Sequence, residues 1–130
     1  RMNSPKVPVS WGELFDKITI LQIKLENLTL KSALENVERE HKQLYTIFLK
    51  NVSEETGATK LLEELKQINQ KLWDIEDNIR DKERAKSFDD EFLQLARSVY
   101  FTNDERSRIK RNINDAFGSE LVEEKSYSDY

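Results

Sequence analysis

The chain has 130 residues, of which 35% are charged and 37% hydrophobic, and its formal net charge is −4. Such a composition is too apolar for disorder, and the modest, mixed charge argues against a general nucleic-acid binder or a binder of anionic membranes. The chain contains no cysteine, which excludes disulfides and thiol chemistry. No apolar run approaches the roughly 18 residues of a membrane span. Because the first residues also lack the apolar core of a signal peptide, we expect a cytoplasmic protein.

The domain organisation follows from the positions of the helix breakers. Both prolines precede Ser10, which predicts an extended N-terminal arm over residues 1–9. Residues 10–118 are predicted to form one helical bundle domain, and Gly118 is a typical residue for ending its last helix. Residues 119–130 show no helical period, so we expect an extended C-terminal tail that packs on the bundle or on a partner subunit.

The first predicted helix begins at Ser10, which has the capping-box spacing to Glu13. Apolar residues then repeat in steps of three and four, as in a coiled coil. They are Trp11, Leu14, Ile18, Leu21, Leu25 and Leu28. Because Phe15, Ile20 and Ile23 lie off this row, the helix is apolar on more than one face. We therefore expect it to be central or to lie at a subunit interface.

Three further apolar rows follow, over residues 34–48, 61–79 and 88–117. Residues 89–117 are predicted to be one helix, although Thr102 to Glu105 has a second capping-box spacing and could begin a new one. Short connections between the four rows favour antiparallel neighbours. The predicted fold is all-α, an antiparallel bundle of about four long amphipathic helices.

Catalytic and metal-binding patterns are weak. His41 is the single histidine and lies on an apolar row without a readable nucleophile, so it is interpreted as structural and no catalytic residue is predicted. Glu35-x-x-Glu38 matches one half of the paired acidic motifs of Mg²⁺-dependent helical nucleotide pyrophosphatases. The nearest second half, Asp74-x-x-Asp77, has the wrong first residue and is expected to face solvent. No metal site and no cofactor are predicted.

Polar residues interrupt the apolar row of the fourth helix. Thr102, Arg106 and Lys110 lie on the line from Val99 to Ile113, where a core helix should be apolar. A charge in that place must be paired or must reach water. We favour a structural ion pair that fixes the helix register, and the alternative is the floor of an anion-binding pocket.

A candidate ligand site follows from the alternative. If the third and fourth helices form a hairpin about Ser87, Arg106 lies opposite Asn69. The ligand would be an anionic small molecule, for example a phosphorylated or nucleotide-linked sugar. Its hypothetical binding residues are Trp73, Glu76, Arg80, Tyr100, Asn103, Arg106 and Lys110.

The tail is expected to be ordered because it carries Leu121 and Val122 behind a helix stop. Burying each of them would contribute roughly 1.5–3 kcal/mol, which is less than the entropic cost of ordering the tail. Polar contacts must therefore help. The candidates are Glu123, Glu124 and Lys125, with Arg97, Arg108 and Arg111 as partners of the carboxylates.

Four strings resemble a family of small bacterial proteins that is described as a domain of unknown function. The strings are SWGELFDKITILQIKLENL, LWDIEDNIRDKE, FLQLARSVYFTNDERSRIKRNIN and GSELVEEKSY, and the resemblance covers the chain from Ser10 to Tyr130 except Asn51–Lys60. The resemblance implies a stand-alone helical domain and supplies no activity. It implies that the recurring motifs include Asp16, Lys17, Trp73, Glu76, Asp77, Arg80, Tyr100, Asn103, Asp104, Arg111, Glu124, Lys125 and Tyr127.

A binding or assembly module without a catalytic site is the favoured function. We expect a homo-oligomer, most simply a dimer, because the first helix has an extra apolar face. Neither nucleic acid nor a membrane is expected as a partner. The alternatives are the small-ligand binding protein described above and a Mg²⁺-dependent pyrophosphatase-like enzyme.

Overall fold

The computed structural model describes residues 2–130 and contains four α-helices. They are α1 (Trp11–Asn27), α2 (Lys31–Asn51), α3 (Ala58–Arg84) and α4 (Asp90–Ala116). Between residues 2 and 130 there is no β-strand, which confirms the predicted all-α class. None of the helices in this range combines the length and apolar character needed to cross a membrane. Arg1, the first residue of the predicted N-terminal extension over residues 1–9, lies outside the described residues.

The helix ends follow the expected local chemistry. The Ser10 hydroxyl accepts a hydrogen bond from the backbone N–H of Glu13 at 3.1 Å and so caps α1. The Glu13 carboxylate binds a lysine of α4 instead of completing the capping box. α4 is one helix, as predicted, and it is capped by Asp89, which accepts a hydrogen bond from the Phe92 N–H at 2.9 Å. The capping-box spacing at Thr102 therefore lies inside a helix and caps nothing.

The core is built around α1, which packs against each of the other three helices. Phe15 is fully buried, and its ring centroid lies 5.3 Å from that of Phe48 in α2 and 5.6 Å from that of Phe117 after α4. Ile23 is also buried. The extra apolar face of the first helix is thus covered mainly within the chain, which confirms its central position. The buried cluster comprises Leu14, Phe15, Ile18, Phe48, Val52, Ala58, Leu62, Leu65, Ile109 and Ile113.

α1 and α4 lie close together at Gly12. Its backbone N–H donates to the side-chain oxygen of Asn114 at 2.7 Å. A Cβ atom at this position would lie 2.6 Å from the backbone oxygen of Lys110. Any residue other than glycine would therefore push the two helices apart.

The connected helices α3 and α4 form a hairpin that is only partly covered. Side-chain hydrogen bonds and ion pairs from α1 reach this hairpin at Lys66, Asn69, Arg106, Lys110 and Asn114. Beyond them lies the stretch 76–101, in which no residue is buried. We call this stretch the arm, and it is distinct from the N-terminal residues 1–9. Its half-buried apolar residues are Ile79, Phe92, Leu95, Ala96 and Val99, and its exposed ones are Phe88, Leu93, Tyr100 and Phe101.

Candidate functional site

A buried ion pair joins α1 to α4. The Asp16 side chain is only 3% exposed, and the guanidinium of Arg106 binds both of its carboxylate oxygens, with a distance of 2.9 Å from Nε to Oδ1. This bidentate geometry is favourable because the planar guanidinium presents two N–H donors to the two carboxylate oxygens. The prediction that Arg106 has to be paired or reach water is met by pairing.

Two further side chains complete the surroundings of Asp16. The amide nitrogen of Asn69 in α3 donates to Asp16 Oδ1 and to Thr19 Oγ1, each at 2.9 Å. The amine of Lys110 lies 3.0 Å from Glu13 Oε2 and 3.9 Å from Asp16 Oδ2. Three helices therefore meet at one hydrogen-bonded cluster.

The tail supplies one more carboxylate, because Glu123 Oε2 lies 2.9 Å from the Lys110 amine. We call this cluster the polar junction. Its members are Glu13, Asp16, Thr19, Asn69, Arg106, Lys110 and Glu123. Each of its two cations faces at least one carboxylate.

The electrostatics of the junction keep its groups charged. Burial alone would raise the pKa of Asp16, but hydrogen bonds from Arg106 and Asn69 and the nearby positive charges lower it below its ordinary value. Burial alone would lower the pKa of Lys110, but its hydrogen bonds to Glu123 and Glu13 raise the pKa above its ordinary value. Asp16 and Lys110 are therefore both charged at neutral pH, each beside groups of opposite charge. This favours the structural interpretation over an anion pocket, because no cation in the junction is left without a carboxylate.

The structure distributes the predicted ligand residues over three surface cavities. Trp73, Glu76 and Arg80 line a groove of about 430 Å³ beside α1. Tyr100 and Asn103 line a cavity of about 560 Å³ between α4 and the tail, and Arg106 borders both spaces.

The seventh predicted ligand residue, Lys110, is buried and borders a third cavity of about 310 Å³ under the tail. The residues thus surround Arg106 without forming a single pocket.

The groove beside α1 has a mixed lining, because the polar side chains of Asn69 and Arg106 line it together with apolar and charged ones. Ile20, Ile23 and Leu72 contribute to its lining together with Trp73. On the rim, Glu76 and Arg80 form an exposed ion pair with 3.4 Å between Oε2 and Nε. Asp77 also borders the groove and makes no ion pair with any residue in the range 2–130.

The tail contacts α4 through polar and aromatic groups. Glu124 lies 3.4 Å from Arg111, and the Tyr130 ring lies 4.7 Å from that of Phe101. The Tyr130 hydroxyl donates a hydrogen bond to Asp104, which raises the pKa of Tyr130 to about 12.

Two details of the tail expectation are wrong. Leu121 and Val122 are 46% and 43% exposed, because the contacts of the tail run through its carboxylates and its last tyrosine instead. The cations that meet those carboxylates are Lys110 and Arg111, while Arg97 and Arg108 form no ion pair with the tail.

The family model described as "Family of unknown function (DUF6165)" matches residues 5–130. The chain belongs to this family. No curated protein and no solved structure matches the chain. Membership in the DUF6165 family confirms the resemblance drawn from the four sequence strings, and it assigns no activity.

The acidic residues of this DUF6165 chain that were considered as metal ligands lie on exposed helix faces. Glu35 and Glu38 are exposed on α2, and Asp74 and Asp77 are exposed on α3. Within residues 2–130 no three acidic, histidine or cysteine side chains come together in a way that could hold a metal ion. His41 is partly exposed and its ring stacks on Tyr45 at 5.2 Å, while its buried Nε2 atom has no hydrogen-bond partner.

Sequence reasoning found the cations of the polar junction in the DUF6165 chain and missed their main partner. Asp16 entered only as a residue of the recurring motifs, and Glu13 only as a cap. A signal was present, since Glu13 and Asp16 continue the row of Ile20 and Ile23 in steps of three and four. Each charged side chain in a core row requires a partner of opposite charge on a facing helix, and α1 carries two carboxylates of this kind near its start.

Proposed function

We propose that the chain is an assembly module that forms a homodimer through its arm. The observation that supports the proposal is the absence of any buried residue between Glu76 and Phe101, although both helices of the arm carry apolar rows. Just outside this stretch, Ile75 and Thr102 are buried under the rest of the domain.

The physical reason is that two helices alone do not enclose a core. Most of the stability of a helix in a protein comes from packing of its apolar face, and a third or fourth helix normally completes a bundle. A second arm would supply two helices at once. Each 100 Å² of apolar surface that it covers contributes about 2.5 kcal/mol before the costs of association are subtracted. A cytoplasmic setting fits such a cysteine-free dimer.

Sedimentation equilibrium of the intact chain tests the proposal, and we expect a dimer with a dissociation constant on the order of micromolar. Replacing the exposed arm residues Phe88 and Leu93 together by serine should shift the chain to monomer. The matched control is Leu49→Ser, since Leu49 is 53% exposed on α2, outside the arm. A wild-type chain that stays monomeric at about 100 times that concentration, or a dimer that the double substitution leaves intact, contradicts the proposal.

The anionic-ligand alternative has weaker geometric support. Arg106 is bound by Asp16, and Arg80 lies against Glu76, so an anion would have to displace a carboxylate from either cation. The pyrophosphatase-like alternative would need clustered metal ligands, and residues 2–130 contain no such cluster. The two alternatives are tested by measuring the Tm of the chain with inorganic phosphate, with and without Mg²⁺. A ligand at 100 times its dissociation constant stabilises by about 2.7 kcal/mol.

We also propose that residues 119–130 stay docked on α4 in solution. A variant truncated after Gly118 loses the Glu123 carboxylate from Lys110 and the Tyr130 ring from Phe101. We expect a stability loss of roughly 1 kcal/mol, or a few degrees in Tm, because the lost ion pair is partly exposed and Lys110 keeps Glu13. Glu120→Gln serves as the control within the tail. Identical melting of the truncated and intact chains would show that the tail is a free appendage.

A further inference from the structure

We infer that the cavity between the end of α4 and the tail is a binding site for a phosphate group, carried either by inorganic phosphate or by a small phosphorylated molecule. The site lies outside the arm, so it does not depend on the proposed dimer. It rests on the proposed docking of residues 119–130, because the tail forms one wall of the cavity.

The cavity under the tail is small and lined mainly by charged side chains. Its volume of about 310 Å³ is at the lower end of the range for small-molecule sites, roughly 300–1,000 Å³. Positive charges outnumber negative ones in its lining. The cations are Arg108, Lys110, Arg111 and Lys125, and the carboxylates are Glu123 and Glu124. A small space with an excess of positive charge favours a compact anion.

Two of the four cations already face carboxylates. The Lys110 amine lies 2.9 Å from Glu123 and 3.0 Å from Glu13, which approaches it from α1. Lys110 is therefore a structural residue of the polar junction and is not expected to bind the ligand. Arg111 lies 3.4 Å from Glu124 and contacts the tail through its Nη2 group alone. The remaining N–H groups of this guanidinium are therefore available to another acceptor.

The other two cations, Arg108 and Lys125, make no ion pair with any residue from 2 to 130. Arg108 was expected to meet a carboxylate of the tail, but it borders the cavity without doing so. A guanidinium presents parallel N–H donors that match the oxygens of a phosphate group. Arg108 and Arg111 can therefore bind such a group from α4, with Lys125 on the side of the tail.

A buried amide provides a second, independent observation. Asn114 borders the cavity and is only 3% exposed. Its side-chain oxygen accepts hydrogen bonds from the Gly12 N–H at 2.7 Å and from the Ser119 hydroxyl at 3.2 Å. These bonds orient the planar amide and turn its NH₂ group away from Gly12, and no residue in the described part of the chain accepts a hydrogen bond from that group. Buried amide donors are normally hydrogen-bonded, so an acceptor in the cavity would satisfy Asn114.

Phosphate fits these donors better than a carboxylate does. At neutral pH a phosphate monoester carries a charge of about −1.5 to −2 and three strong acceptor oxygens. It can therefore accept from the Asn114 amide and from the unpaired cations at the same time. The Ser107 hydroxyl also lines the cavity and can donate to it. A carboxylate has one charge and two oxygens, and Glu123 and Glu124 already supply that chemistry to the other cations.

Titration of the intact chain with inorganic phosphate at constant ionic strength, followed by heteronuclear NMR, tests the inference. We expect the side-chain NH₂ signals of Asn114 to shift, with a dissociation constant on the order of millimolar because the cations are exposed. Potassium chloride at the same ionic strength should leave these signals in place. Glycerol phosphate distinguishes the two sources. Binding tighter than that of inorganic phosphate indicates a phosphorylated small molecule, and equal or weaker binding indicates the free ion.

A double variant tests the assignment of the cations. Arg108→Gln with Lys125→Gln should weaken phosphate binding at least about tenfold, because it removes both unpaired cations. The matched control is Lys71→Gln with Arg80→Gln, which makes the same charge change at exposed residues of α3. It also removes a cation of the alternative ligand site and should leave binding unchanged. If the two double variants bind phosphate equally well, general charge attraction explains the binding and the inferred site is wrong.

The outcomes separate this site from the docking of the tail. If the chain truncated after Gly118 melts like the intact chain, docking fails and the cavity loses its wall. If docking stands but phosphate at about ten times the expected dissociation constant moves no Asn114 signal, the inferred site alone is wrong. Neither result bears on the dimer, which is measured by sedimentation.

Discussion

Asp16→Ala is expected to lower the free energy of unfolding by about 3 kcal/mol, the lower end of the range for a buried ion pair, because it leaves Arg106, whose side chain is 29% exposed, without its carboxylate. Asn69 loses one of its two acceptors in the same step and keeps the Thr19 hydroxyl, so it adds little to the cost. A domain of this size has a total stability of about 5–15 kcal/mol, so the loss is a large fraction of the total. Urea unfolding followed by circular dichroism measures the loss.

Two comparisons identify the cause of that loss. Glu26→Ala removes the partner of Lys66 in an ion pair whose glutamate is 52% exposed, and it should cost no more than about 1 kcal/mol. The double replacement Asp16→Leu with Arg106→Met removes both buried charges and should cost less than Asp16→Ala alone. If Asp16→Ala unfolds at the same urea concentration as Glu26→Ala, the polar junction does not stabilise the fold.

Gly12→Ala is expected to destabilise the protein by about 1–3 kcal/mol through overpacking. In an ordinary helix this substitution stabilises by up to about 1 kcal/mol, so its sign here depends on the contact with α4. The added Cβ atom would lie 2.6 Å from the backbone oxygen of Lys110 and 2.8 Å from the side-chain oxygen of Asn114. The amide can turn away, but the backbone oxygen moves only if the whole helix moves.

Thermal and urea unfolding of Gly12→Ala should be compared with those of Lys17→Ala. Lys17 is an exposed residue of the same helix, and its replacement should change stability by less than about 0.5 kcal/mol. A Gly12→Ala protein as stable as the wild type would mean that α1 and α4 are farther apart than described.

The fold was predictable where local chemistry decides it. The Ser10 cap and the apolar row of α3 are readable because each depends on residues within a turn or two. The continuity of α4 was favoured by its apolar row, although the capping-box spacing at Thr102 left a second helix open. The central position of α1 was also predictable, since side chains such as Phe15 make it apolar on more than one face.

The candidate site was less predictable because its contacts depend on how helices cross. Asp16 and Arg106 are 90 positions apart, and nothing local to Asp16 indicates which cation it meets. The seven predicted ligand residues were chosen from α3 and α4, so the contribution of α1 was missing. The exposure of Leu121 was missed for a similar reason, because apolar content indicates order without showing which side chains make the contacts.

The central position of α1 also determines the order in which the molecule can fold during synthesis. α1 is translated before α2, α3 and α4, yet Asp16 finds Arg106 only after another 90 residues have been added. Contacts of such long separation form slowly, whereas α3 and α4 are neighbours along the chain and can pair early. Until α4 leaves the ribosome, the apolar faces of α1 have no complete partner. A nascent chain that stalls before α4 is therefore expected to expose this surface, which makes it prone to aggregate.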